Sequence, residues 1–311
     1  PTAEANADVL SRVGAGTQLG AGGAVDVLAY NSNDALADAN ALSIGGAAFG
    51  ISIATAEANG STTADHLGGV TQSDAVTVRA QAKNLANADA DASGGGLAAN
   101  NGAYSDAEAN GDVSVTLGTV GQNNPVNASG AIVVEAISSA DATADTFGLS
   151  LGLGSAVGVM GASAEASPDV AVTVQGGTAM TSGTGVRVGA YHNQNGEDVR
   201  AQADAAGGGL GLAANGTVVD ARSEADTQVL LGNSTALAGG SGSVIVEALS
   251  DNHATATGSA TSVGLVLGVG GVWASGASGG TTGAVSGADV TGSSLSVPVS
   301  YTHLRAHETV L

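Results

Sequence analysis

Val76-Thr-Val-Arg-Ala80 reads as a branched aliphatic, any residue, Val, any residue and Ala, and the chain carries that pattern five times. The other copies are Val25-Asp-Val-Leu-Ala29, Ile132-Val-Val-Glu-Ala136, Val186-Arg-Val-Gly-Ala190 and Val244-Ile-Val-Glu-Ala248, with successive starts 51, 56, 54 and 58 residues apart. Successive side chains of an extended chain leave opposite faces, so Val76, Val78 and Ala80 share one face and Thr77 and Arg79 the other. A strand recurring at a long, steady period marks one supersecondary unit stacked on copies of itself.

Each copy is followed by a short polar cluster: Asn31-Ser-Asn33, Lys83-Asn84, Ser138-Ser139, Asn193-Gln-Asn195 and Asp251-Asn252. Asn and Asp bond their own backbone and tolerate positive φ, so these clusters are expected to be turns. A strict alternation of Ala comes next, as in Ala86-Asn-Ala-Asp-Ala-Asp-Ala92 and Ala201-Gln-Ala-Asp-Ala205. Ala favours helices, but a period of two would scatter these residues around a helix, so the period makes them strands. Gly-rich apolar stretches such as Gly94-Gly-Gly-Leu97 and Gly207-Gly-Gly-Leu210 then read as bends where backbones come close.

An acidic marker closes the unit. Glu4, Glu57, Glu108, Glu165 and Glu224 recur before Ala, and Asp8, Asp65, Asp112, Asp169 and Asp226 follow them. Two markers on a common period predict an all-β, repetitive β-solenoid (β-helix) of about 54-residue units, each with three or four extended stretches. The spacing fits one wide coil or two ordinary coils per unit. Residues 1–299 are expected to form a single repetitive solenoid segment. With no initiator Met and no leader, it is expected to be a fragment of a longer protein.

Composition limits what such a solenoid does. Lys and Arg number 7 against 28 Asp and Glu, giving a formal net charge of −21. Nucleic acid binding needs clustered cations, and Lys83 is the one Lys, so nucleic acid is excluded as a partner. No Cys is present, which removes disulfides and thiolate chemistry. Aromatics make up 2% of residues, so the core is expected to be thin and built from Ala, Val and Gly. No stretch provides the ~20 apolar residues of a spanning helix, so no membrane insertion is expected within the segment.

Few residues offer site chemistry. Glu108 with Asp112, and Glu165 with Asp169, stand four apart and would share a strand face. Stacked, they are candidates for a calcium ladder, since Ca²⁺ takes several hard oxygen ligands. The alternative reading is a solvated acidic face that keeps the solenoid soluble and discourages lateral sheet pairing. Asp89 and Asp91 alternate as a catalytic pair would, without the aromatic setting that grips a sugar. His66, His192 and His253 share no ligand spacing and are expected at the surface, whereas the lone Trp273 is expected to pack. No catalytic or cofactor-binding residue is assigned.

Over residues 1–299 this Ala/Gly/Val-rich, Asp- and Asn-punctuated pattern resembles the repeat regions of very large bacterial surface proteins, the filamentous-haemagglutinin-like adhesins. The resemblance implies export to the outer surface of a bacterium and a structural or adhesive role as stalk or fibre. Its expected partners are neighbouring repeats of the same chain and host or cell-surface glycans or proteins. A calcium-binding extracellular β-repeat module and a β-helical polysaccharide-active enzyme are the alternatives. Ser300–Leu311 differs from the rest: it lacks Gly and holds His303 and His307. It resembles a tail found on proteins predicted from metagenomic assemblies, read through from sequencing adapter. It is therefore expected to be non-native, its two His residues no ligands.

Overall fold

The computed structural model describes residues 1–302. Within them every regular element is a strand, and every pairing between strands is parallel. The chain is a β-solenoid in which each repeat is one wide coil, so the spacing of the five pattern copies is the length of a turn. Val25, Val76, Ile132, Val186 and Val244 form one row across the stack, each paired with the next.

A coil has three parts, seen most simply in the second. The strand Val76–Glu108 runs out and back without a break, Val113–Leu117 forms a second wall, and Asn124–Ala128 forms a third. Val25–Glu57 and Ile132–Ala166 are the equivalent long strands on either side. In the later coils the long strand divides, into Val186–His192, Val199–Gly209 and Leu212–Ser223, then Val244–Asp251, Ala254–Gly264 and Leu267–Ser278.

Two cores result, with different compositions. The start of each long strand and the two short walls enclose a three-sided lobe filled by Val, Ile and Leu, among them Val78, Val115, Val126 and Ile132. The rest of each long strand makes an outgoing arm and a return arm, packed face to face as a flat fin. Its interior is almost all Ala: Ala86, Ala88, Ala90 and Ala92 on one arm meet Ala103, Ala107 and Ala109 on the other. Alanine methyl groups fill most of the gap between the two sheets, and where a longer chain enters, as Met160 does, the facing Gly148 leaves the space for it. At the apex the fit tightens further: a Cβ on Gly96 would lie 1.9 Å from the Gly45 carbonyl oxygen of the neighbouring coil. That close approach explains the glycine run.

Three expectations need correction. The polar clusters at Asn31–Asn33, Lys83–Asn84 and Ser138–Ser139 lie inside unbroken strands. Asn33 and Asn84 point inward at the waist between the two cores, where Asn33 Nδ2 donates to Asn84 Oδ1 at 2.9 Å and Asn84 Nδ2 donates to the Gly111 carbonyl. Parallel pairing already occupies the backbone there, which leaves the amides free to tie the lobe to the fin. The chain does leave the strand at Asn193, whose φ is 47°, and near Asn252.

Secondly, His66 and His192 are fully buried. Thirdly, Trp273 is 56% exposed on the outside of the last return arm. In the tail, Val299–Thr302 pairs with the strand containing Ala248–Asp251; the rest of that tail, with His303 and His307, lies outside the described residues.

Candidate functional site

The solenoid presents rows of identical depth, one residue per coil, spaced by the ~4.8 Å between strands. On the return arm the acidic marker becomes Glu4–Glu57–Glu108–Glu165, with Arg222 next in line. Glu224 is therefore not the fifth member; it stands two residues past the row. Burial, then Asp106, Glu57 and Glu165 nearby, push the Glu108 carboxyl above its ordinary range. Arg222 instead pairs with Asp220 at 3.0 Å.

The second marker aligns as Asp8–Ser61–Asp112–Asp169–Asp226, just ahead of the second wall. Asp65 belongs elsewhere, opposite Arg12, which it holds at 2.6 Å. The Asp row caps backbone: Asp8 accepts from the Ser61 amide at 2.8 Å, Asp112 from that of Asp169 at 2.9 Å, and Asp226 from that of Thr281 at 2.5 Å. A neighbouring row does the same work with amides, Asn6 accepting from the Asn59 N–H, Asn59 from Asn110 and Asn110 from Ser167.

Glu108 and Asp112 are consequently not on one strand. The long strand ends at Glu108, the chain turns a corner, and the next wall opens at Val113. Glu165 and Asp169 are divided in the same way, at the ends of adjacent strands. Among the described residues no group of three His, Asp or Glu side chains is gathered as a metal would require.

The outgoing arm carries its own acids. Asp38, Asp89 and Asp145 form one row, continued by Gln202 and Thr257, and Asn40, Asp91, Phe147 and Asp204 form the next. Burial and then the mutual repulsion of Asp91, Asp38 and Asp145 raise Asp89, and burial followed by Asp38 raises Asp91. This face repels anions and, with Arg200 and Gln202 at its side, forms a shallow polar groove.

A denser network sits on the three-sided lobe. Arg79 donates to Glu135 through Nη2 at 2.5 Å and Nε at 3.0 Å, while Arg187 lies 4.0 Å from Glu135 and 3.7 Å from Glu247. Tyr191 donates to Glu247, and burial together with that bond holds its hydroxyl protonated well above the usual range. These contacts join neighbouring coils as charge-assisted cross-strand bonds.

Inside, His192 lies between Ser138 and Ser250 in its row. Among the described residues neither ring nitrogen finds a hydrogen-bonding partner, and burial lowers its pKa to about 4. His66 is likewise lowered by burial.

The feature that residue-by-residue reading missed is the fin apex. Leu42, Ile44, Phe49, Ile51, Leu153 and Leu265 face solvent there, and Trp273 does so further down the return arm. A signal for it existed in the sequence: residues 42–53, 92–105, 146–164, 205–219 and 260–276 contain no Asp, Glu, Lys or Arg. Comparison with protein-family models, curated proteins and solved structures finds no match to the chain. Among the described residues no helix is long and apolar enough to cross a membrane.

Proposed function

We propose that the chain is a structural, non-catalytic stalk or fibre segment of a large exported bacterial surface protein. One observation carries this reading: five coils stack in register over the described chain, and each coil is supported by its neighbours and not by a distant element. Such a quasi-one-dimensional body gains length by adding coils, each contributing ~4.8 Å. Its acids are distributed in rows that cap backbone or face water. The absence of Cys and the net charge of −21 are compatible with life outside the cell. Host or cell-surface glycans or proteins remain the partners such a fibre would meet.

Excision of a whole coil tests the reading. Removing residues 76–131 joins Ala75 to Ile132, the register partner of Val76, so every row is preserved with one member fewer. A stalk segment keeps its β-rich circular dichroism and cooperative unfolding after the excision, and neither form releases reducing sugar from polysaccharides. Turnover of a polysaccharide by the full chain would contradict the proposal, as would collapse of the shortened chain.

A further inference from the structure

The apex of the fin is apolar, free of charge and patterned. Near its edge the outgoing arm carries the row Ile44–Gly95–Leu151–Gly208–Val263, alternating a large side chain with Gly from coil to coil. The large members stand out into solvent, with Ile44 81%, Leu151 52% and Val263 68% exposed. The row beneath repeats the alternation more softly, as Leu42–Ser93–Leu149–Ala206–Thr261. The face is thus a series of knobs about 9.6 Å apart with glycine hollows between them. A general apolar surface has no use for such alternation; a copy of itself displaced by one coil does, because each knob then meets a hollow. Reversing the row end to end preserves the pattern, which is the self-complementarity a two-fold contact requires.

Charge restricts the partner in the same direction. Asp38, Asp89, Asp91 and Asp145 lie on this arm closer to the base, and the chain is strongly anionic. Two copies therefore repel except where the uncharged margins overlap. With the one-coil displacement four coils overlap, and four coils of ~4.8 Å by some five residues of ~3.3 Å per arm give roughly 320 Å² per copy, or about 640 Å² in a pair, the size of a weak and reversible contact.

We propose that the outgoing face of the fin apex docks on the same face of a second copy of this chain, knob into hollow, bringing solenoids together side by side. This inference is independent of the proposed stalk role, and its failure would leave that role standing.

Sedimentation velocity of the full chain over a wide concentration range tests it, with variants confirmed as folded by circular dichroism. The wild-type chain is expected to dimerise reversibly in the micromolar range, more tightly at higher salt as the acidic rows are screened. Gly95→Val with Gly208→Val is the deciding variant. A Cβ at Gly95 meets nothing closer than 3.9 Å and one at Gly208 nothing closer than 3.5 Å, so the backbone leaves room for the Cβ of each valine, and the circular dichroism control checks that the fold accepts the rest of the side chain. Filling the hollows makes the face more apolar yet is expected to weaken dimerisation about tenfold or more. Leu151→Asp should abolish it. A wild-type chain that stays monomeric throughout overturns the proposal, as does a valine variant that associates more tightly. Flotation of monomeric wild-type chain with phosphatidylcholine vesicles would instead assign the face to lipid and overturn it equally.

Discussion

His192 shows how a parallel stack treats a single polar side chain. Its place is fixed by the row it occupies, beneath Ser250 and above Ser138, whatever its own preference for water. The neutral ring is strongly favoured there, since burial outweighs the nearby Glu197 and Asp251. Between the ordinary 6.5 and about 4 the unfolded chain takes up a proton that the folded chain refuses. Stability from this residue is therefore complete above pH 6.5 and is lost as pH falls toward 4, by about 3 kcal/mol in all. Urea unfolding at pH 7 and pH 4.5 checks this against His192→Leu. The variant is expected to lose less stability than wild type on acidification; equal losses would show that the ring does not titrate in this way. The alternation that turns Val186, Val188 and Ala190 inward extends to His192, so the signal was present; the ring was expected at the surface from its polar type and not from its place in that alternation. Asp65 and Glu224 were misplaced for a different reason. Corner lengths vary between coils, so a shared motif and a shared row are different things.

At the scale of the strand, what the sequence shows depends on which lobe it builds. The five aliphatic copies were legible because the three-sided lobe obeys the usual rule, large side chains inward and polar ones outward. The Ala alternation was also legible as strand, from its period. In the fin the rule inverts: Ala, Ser and Gly fill most of the inside and Leu, Ile, Val and Trp stand outside, because the gap between the arms is narrow and admits a longer chain such as Met160 only opposite a glycine. Trp273 was assigned inward on the ordinary rule and lies outward for this reason. The two faces of one strand should therefore respond very differently to substitution. Val134 is completely buried in the Val-rich lobe, and Val134→Asp would place an unpaired charge there, costing about 4 kcal/mol or more. Glu165 faces outward with Ser167 as its partner, a bond that an amide oxygen also accepts. Glu165→Gln is expected to change stability by about 0.5 kcal/mol or less. Chemical denaturation of both variants checks the pair, and an unfolded Glu165→Gln protein would mean that the acidic row is held by something other than solvent.

For the whole molecule, one coil per repeat settles what the spacing alone left open, and it has a mechanical consequence. Each coil touches only its neighbours, through continuous rows of backbone bonds, two dry cores and the side-chain ladders of Asn and Asp at the corners. Stability accumulates coil by coil, as in other repeat architectures. The carboxylates that invited a calcium reading are divided between adjacent strands, and the Asp112 carboxylate caps the coil that follows. Folding should then proceed without metal. The most direct measurement is circular dichroism of the full chain, with a thermal melt, in excess chelator and again in millimolar Ca²⁺. A self-sufficient solenoid gives the same β-rich spectrum and the same melting temperature in both. A coil-like spectrum in chelator that turns β-rich on adding calcium would contradict the account.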